Sequence, residues 1–134
     1  MIRHHGQIKK FLNLSAYKAL GCWRESPVGG WAIPYSLELS ASKLLEGDYA
    51  DREDSINKCF LASYSIGYDI FALDGSRKCI GYKSNAQYSG TLPKYAYEKH
   101  GSSVHCDASG RGGGASLSVY EIVQGTLNIL MKNA

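Results

Sequence analysis

Four cysteines, Cys22, Cys59, Cys79 and Cys106, are spread across a chain of 134 residues, and they constrain its fold more than any other feature. No two of them form a Cys-x-x-Cys pair, which speaks against a zinc ribbon or a thioredoxin-like redox motif. An even number at wide separation fits two disulfides, and disulfides persist in oxidising compartments. The competing reading is four reduced, buried thiols in a cytosolic protein. Four cysteines allow three connectivities, and choosing among them requires knowing which elements carry them.

The clearest helix is predicted over residues 55–66. Asp54 or Ser55 can cap it, because a side-chain oxygen there satisfies free first-turn amides. Ile56, Cys59, Phe60 and Ser63 recur at three- and four-residue spacing and share one face. Gly67 suits the left-handed position just past the end. "YDIFALDG" then reads as a buried strand ending in a turn, and "KCIGY" as its hairpin partner. That places Cys79 on a strand within reach of Cys59 on the helix. A bridge between them would close a loop of about 20 residues and contribute roughly 3 kcal/mol. It would leave Cys22 to pair with Cys106. The rival connectivity joins Cys22 to Cys59 and Cys79 to Cys106.

The remaining segments are strand-like. "IKKFLNL" (8–14), "YKALGCW" (17–23), "SLSVYEIV" and "TLNILM" carry apolar, β-branched and aromatic residues, the last two flanking a Gln124-Gly125 turn. A turn is expected at Gly29-Gly30, and Pro34 biases "WAIP" towards an extended run. Residues 35–50 read equally as a short helix or an irregular loop. The predicted fold class is therefore α+β, an antiparallel sheet with one main helix packed on it and two disulfide staples. Length predicts a single domain over 1–134, with a core small enough for staples to matter. Strand-like runs over about 8–20 and about 124–131 flank the central residues 20–123.

Composition narrows the partners. The net charge of +3 is mild, and its densest local group is Lys9, Lys10 and Lys18, short of the concentrated basic face that nucleic acid requires. No apolar run approaches the roughly 20 residues of a membrane span. "MIRHHGQIKKFLNL" has no apolar stretch of the signal-peptide kind, although the cysteines argue for secretion. Asn13-Leu14-Ser15 matches a glycosylation sequon.

One ordered set of residues resembles a known module. It runs Gly21-Cys22-Trp23, Ala32-Ile33-Pro34, Leu44-Leu45-x-Gly47-x-Tyr49-x-x-Arg52, Ile56-x-Lys58-Cys59, Ala62 and Gly67-Tyr68. It continues through Phe71-Ala72-Leu73, Cys79-x-Gly81, Gly101-x-Ser103-x-x-Cys106, Gly110-x-Gly112-Gly113 and Val119-Tyr120-Glu121-Ile122. Over residues 20–123 this resembles a secreted module recurrent in extracellular proteins of sponges, cnidarians and molluscs. Its helix-to-strand cysteine pair is similar to that of the WSC and PAN/apple modules. The resemblance implies a non-catalytic binding domain for carbohydrate or protein. The chain departs from the pattern at four places. Trp31 replaces a basic residue, Glu25 an aspartate, Asp74 a glutamine, and Ser76-Arg77 a Gly-Gly pair. If these positions line a ligand site, its chemistry is altered.

The reactive-looking stretch "HGSSVHCDASGRGGGASLSVYEIV" fares poorly as a site. Its glycines lead into a strand rather than a helix, and Walker spacing is missing, so no phosphate cradle is expected. Metal binding by His100, His105 and Asp107 would compete with the disulfide for Cys106. A thiol nucleophile needs an oriented base, which a sequence neighbour such as His105 seldom provides. No serine stands in a nucleophile-elbow context, and "DREDS" reads as a charged helix start rather than a catalytic carboxylate pair. Neither an enzyme nor a cofactor or metal is expected.

The ten tyrosines suggest binding instead. A sugar site needs an aromatic platform beside planar polar groups. "YKSNAQYSGTLPKYAYEKH" supplies Tyr82, Asn85, Tyr88, Tyr95 and Tyr97, with Trp31 as a further candidate. The sequence therefore predicts a secreted, lectin-like carbohydrate-binding module, self-associating to gain avidity, with glycans or extracellular matrix as partners. The alternative is a structural or matrix protein that assembles through sheet edges or binds mineral.

Overall fold

A computed structural model describes residues 16–25, 30–40, 42–84, 91–107 and 114–123. The predicted strand over 8–14, the Gln124-Gly125 turn with the C-terminal strand, the Asn13 sequon, the glycine run at 110–113, and Gly29, Asn85 and Tyr88 lie outside them.

Five strands form one sheet: β1 (Tyr17–Arg24), β2 (Ile70–Leu73), β3 (Cys79–Ser84), β4 (Thr91–Leu92) and β5 (Ser116–Ile122). Their order is β1-β5-β2-β3-β4. The first four in that order are mutually antiparallel, and the short β4 runs parallel to β3. Helix α1 (Ser55–Ser65) packs on one face. The fold is thus a disulfide-stapled α+β arrangement.

Strand alternation sorts the side chains onto two faces. Phe71 and Leu73 of β2, Cys79 of β3 and Ile122 of β5 meet Cys59, Phe60 and Ala62 of α1. Ile70 and Ala72, Ile80 and Tyr82, and Leu117 and Val119 face the other way. That second face is covered by Ala32 and Ile33 from one irregular segment and by Leu92, Ala96 and Tyr97 from another.

The helix ends where Gly67 (φ 85°) turns the chain. The Gly67 amide donates to the Tyr64 carbonyl at 3.1 Å and the Tyr68 amide to the Ser63 carbonyl at 2.9 Å, a Schellman closure. The start differs from expectation. Asp54 adopts a left-handed conformation and makes no side-chain cap, its carboxylate accepting instead from the Asn57 amide group at 2.9 Å. The Ser55 hydroxyl donates back to the Arg52 carbonyl at 2.7 Å. Both side chains are therefore engaged elsewhere, because Arg52 fixes the entry to the helix.

The disulfides join Cys59 to Cys79 and Cys22 to Cys106, with Cα separations of 5.4 and 5.9 Å. The first pins α1 to β3. The second pins β1 to the segment 101–106, which lies along the β1 edge: the Arg24 amide donates to the Gly101 carbonyl and the Ser103 amide to the Cys22 carbonyl, both at 2.9 Å. Cys22–Cys106 spans 84 residues, a loop whose closure on the chain-entropy model is worth about 4–5 kcal/mol.

The described residues of 35–50 take the irregular alternative rather than a helix, with two single 3-10 turns, Lys43–Leu45 and Tyr49–Asp51. A buried ion pair holds them. The Arg52 guanidinium grips both Glu38 oxygens at 2.8 and 2.7 Å and donates to the Leu45 carbonyl at 2.9 Å. Glu38 also accepts the Cys79 amide at 2.7 Å. Replacing Arg52 by Ala leaves a desolvated carboxylate behind and is expected to cost about 3–5 kcal/mol in urea unfolding. Arg52→Lys recovers only part of this, because an ammonium cannot make the paired contact.

Candidate binding cleft

Three segments distant in sequence meet beside the β2–β3 hairpin. Glu25 follows directly on β1. Its amide donates to the Ala115 carbonyl at 2.8 Å, and its carbonyl accepts from the Ala32 amide at 2.9 Å. The same bond that holds Glu25 therefore holds the start of the 31–36 segment. That segment then runs along β3: the Leu37 amide donates to the Cys79 carbonyl at 2.9 Å and the Gly81 amide to the Tyr35 carbonyl at 3.1 Å. The third contributor is the hairpin turn. Asp74 accepts from the Ser76 amide at 2.8 Å and the Lys78 amide at 2.9 Å through one carboxylate oxygen. Its other oxygen lies 3.9 Å from the Lys78 ammonium. At Gly75 a side chain would collide with the Gly114 backbone, so only glycine lets the turn sit under the start of β5.

These parts enclose a cleft of about 190 Å³. Ile33 and Ile80, both nearly fully buried, contribute its apolar lining. Glu25, Asp74, Lys78 and Ser36 are its polar groups, and Trp31 and Pro34 complete it. Trp31 is 58% exposed although Ala32 and Ile33 beside it are 3% exposed. Burial pushes the Glu25 carboxyl up to about 7, the Asp74 charge adds to this, and the Lys78 ammonium opposes it. No hydrogen bond to that carboxyl is found among the described residues.

The aromatic residues expected to bind divide sharply. Tyr82 is 0% and Tyr97 5% exposed, so neither presents a ring face to a ligand, and that expectation is corrected. Tyr82 lies on the inner face of β3 and its hydroxyl donates to the Lys94 carbonyl at 2.8 Å, which satisfies the phenol inside the core. Tyr97 packs edge-on against Trp23, with ring centroids 5.2 Å apart. Tyr95, at 62%, and Trp31 are exposed. They belong to the two segments that cover the same sheet face, and His100 links these segments by a 2.6 Å contact to the Gly30 carbonyl. The sequence reading missed Ser36 and Lys78, which carry no signal of their own. Trp31 was a binding candidate in the sequence, Glu25 and Asp74 were visible only as departures from the resembled pattern, and all three line one cleft.

The histidine-rich stretch scatters. His100 is engaged with Gly30, whereas His105 lines a wider, open groove of about 600 Å³ with Arg24, Ser102, Ser103 and Val104. That groove is larger, but among the described residues no Trp, Tyr or Phe ring lines it, and its Arg24 guanidinium already donates to the Ser102 carbonyl at 3.2 Å. Among the described residues no group of three or more His, Cys, Asp or Glu side chains is placed to hold a metal ion.

No protein-family model matches the chain, and no curated protein matches it.

The raised Glu25 carboxyl has a consequence for stability. Below its ordinary value near 4.5 both folded and unfolded chains carry the proton. As pH rises towards 7 the unfolded chain loses it first, so stability falls across that window. Glu25→Gln is therefore expected to match the wild type in thermal unfolding near pH 4 and to exceed it by pH 8. Allowing for solvent screening at this half-buried site, the gain is on the order of 1 kcal/mol.

Proposed function

We propose that the protein is a secreted, non-catalytic carbohydrate-binding module of the WSC/PAN-like kind, and that the cleft beside Trp31 is its ligand site. The observation that carries this reading is the indole of Trp31, held exposed at a cleft whose polar groups are two carboxylates, an ammonium and a hydroxyl. A pyranose has an apolar face for such a ring and hydroxyls for such groups. Two disulfides are compatible with an oxidising, extracellular setting. No helix among the described residues is long and apolar enough to cross a membrane. Of the tyrosines first expected to bind, Tyr95 is the exposed one among the described residues.

A glycan array probed with the intact protein tests the reading. Binding that free sugar competes away, and that weakens at least about tenfold in Trp31→Ala, is the expected result. Tyr95→Ala is expected to have the smaller effect. Self-association gaining avidity predicts agglutination by the oligomer that a monomeric fraction cannot reproduce. A blank array, together with sugar-insensitive assembly that grows with concentration, would favour a matrix protein instead.

A further inference from the structure

We infer that the Glu25–Trp31 cleft selects a compact organic cation, and that the group it takes is the protonated amine of an amino sugar. This rests on the carbohydrate-binding reading and narrows it to one ligand chemistry.

Among the described residues, the charges that line the cleft do not balance. Glu25 and Asp74 bring two carboxylates and Lys78 a single ammonium. Asp74 is fully engaged, one oxygen taking two backbone amides and the other facing Lys78. Lys78 is engaged in turn, lying 3.9 Å from Asp74 and over the Tyr49 ring at 5.9 Å. Among the described residues Glu25 is the carboxyl with no hydrogen bond or ion pair of its own, offset only by the longer-range pull of Lys78. Its proton is held by burial and by the neighbouring Asp74 charge. A neutral sugar hydroxyl can bond to either form of that carboxyl, more strongly to the ionised one, but cannot neutralise its charge. An ammonium placed there answers the carboxylate directly, and the exposed face of Trp31 adds the attraction of an aromatic quadrupole for a cation. Size agrees: about 190 Å³ is less than the roughly 300–1,000 Å³ of most small-molecule sites. It suits the amine-bearing edge of one ring rather than a long ligand.

Binding is then coupled to loss of the Glu25 proton. Among the described residues, the titratable groups facing Glu25 are Asp74 from the hairpin turn and Lys78 just before β3.

Calorimetric titration of the intact protein tests this with three β-1,4-linked tetrasaccharides: glucosamine, its fully N-acetylated form, and a trimethylammonium form whose charge does not vary with pH. For the trimethylammonium ligand, affinity is expected to rise by up to about tenfold per pH unit below pH 7 and to level off above it. The N-acetylated ligand is expected to bind at least about tenfold more weakly near neutral pH, with no such slope. Glu25→Gln, a neutral isostere that removes an acid the fold disfavours, should abolish the slope and reduce cation binding to the level of the N-acetylated ligand. Equal or tighter binding of the N-acetylated ligand would overturn the inference and leave the carbohydrate reading intact. So would cation binding that survives both Glu25→Gln and Trp31→Ala. No binding by any of the three, with a blank glycan array, would sink both.

Discussion

The Arg52–Glu38 pair is the contact on which the rest of the structure depends. One carboxylate receives the guanidinium through both oxygens and also the amide of Cys79. It thereby fixes three pieces at once: the irregular stretch through Leu45, the entry to α1, and the first residue of β3. Cys79 is also half of the disulfide to Cys59 on α1, so the ion pair and the covalent link close a single circuit around the helix. A buried ion pair is not in itself strong evidence of net stability, since apolar packing often serves as well. What an apolar replacement could not supply here is direction. The fork of Arg52 admits one arrangement of its partners, and a stretch with almost no regular structure needs that.

The geometry of the cleft follows from this anchoring. Because β3 is fixed, the hairpin that precedes it is fixed, and Asp74 holds the turn closed with two amide contacts. Because β3 also binds the 35–37 stretch along its outer edge, Trp31 is carried on a segment tied at both ends. Its exposure therefore does not reflect a loose loop. An aromatic ring held out into solvent by a rigid support loses little freedom when a ligand covers it, which is the condition under which a single ring contributes usefully to affinity.

The tyrosines show where one-dimensional reading fails. Tyr82, Tyr95 and Tyr97 look alike in sequence, each an amphipathic ring among polar neighbours. Tyr82 is on a strand, and its position in the alternation sends it inward, where the Lys94 carbonyl meets its hydroxyl. Tyr97 sits in a single 3-10 turn and leans on Trp23. Only Tyr95, two residues away, is exposed. A phenol that finds one acceptor inside the protein is as content buried as hydrated, so composition cannot separate the packing rings from the presenting ones.

What the sequence determined by itself was local and periodic. The apolar spacing of Ile56, Cys59, Phe60 and Ser63 specified α1 to within a residue, Gly67 marked its end, and two apolar runs around Asp74-Gly75 specified the β2–β3 hairpin. With Cys59 and Cys79 on adjacent elements, even the disulfide pairing was legible. The tertiary structure alone decided the cleft. Glu25, Trp31 and Asp74 belong to the end of β1, an irregular crossing segment and a hairpin turn, and they are brought together because β5 pairs with both β1 and β2. Charge imbalance at such a site depends on distances between residues far apart along the chain, and periodicity carries no information about those distances.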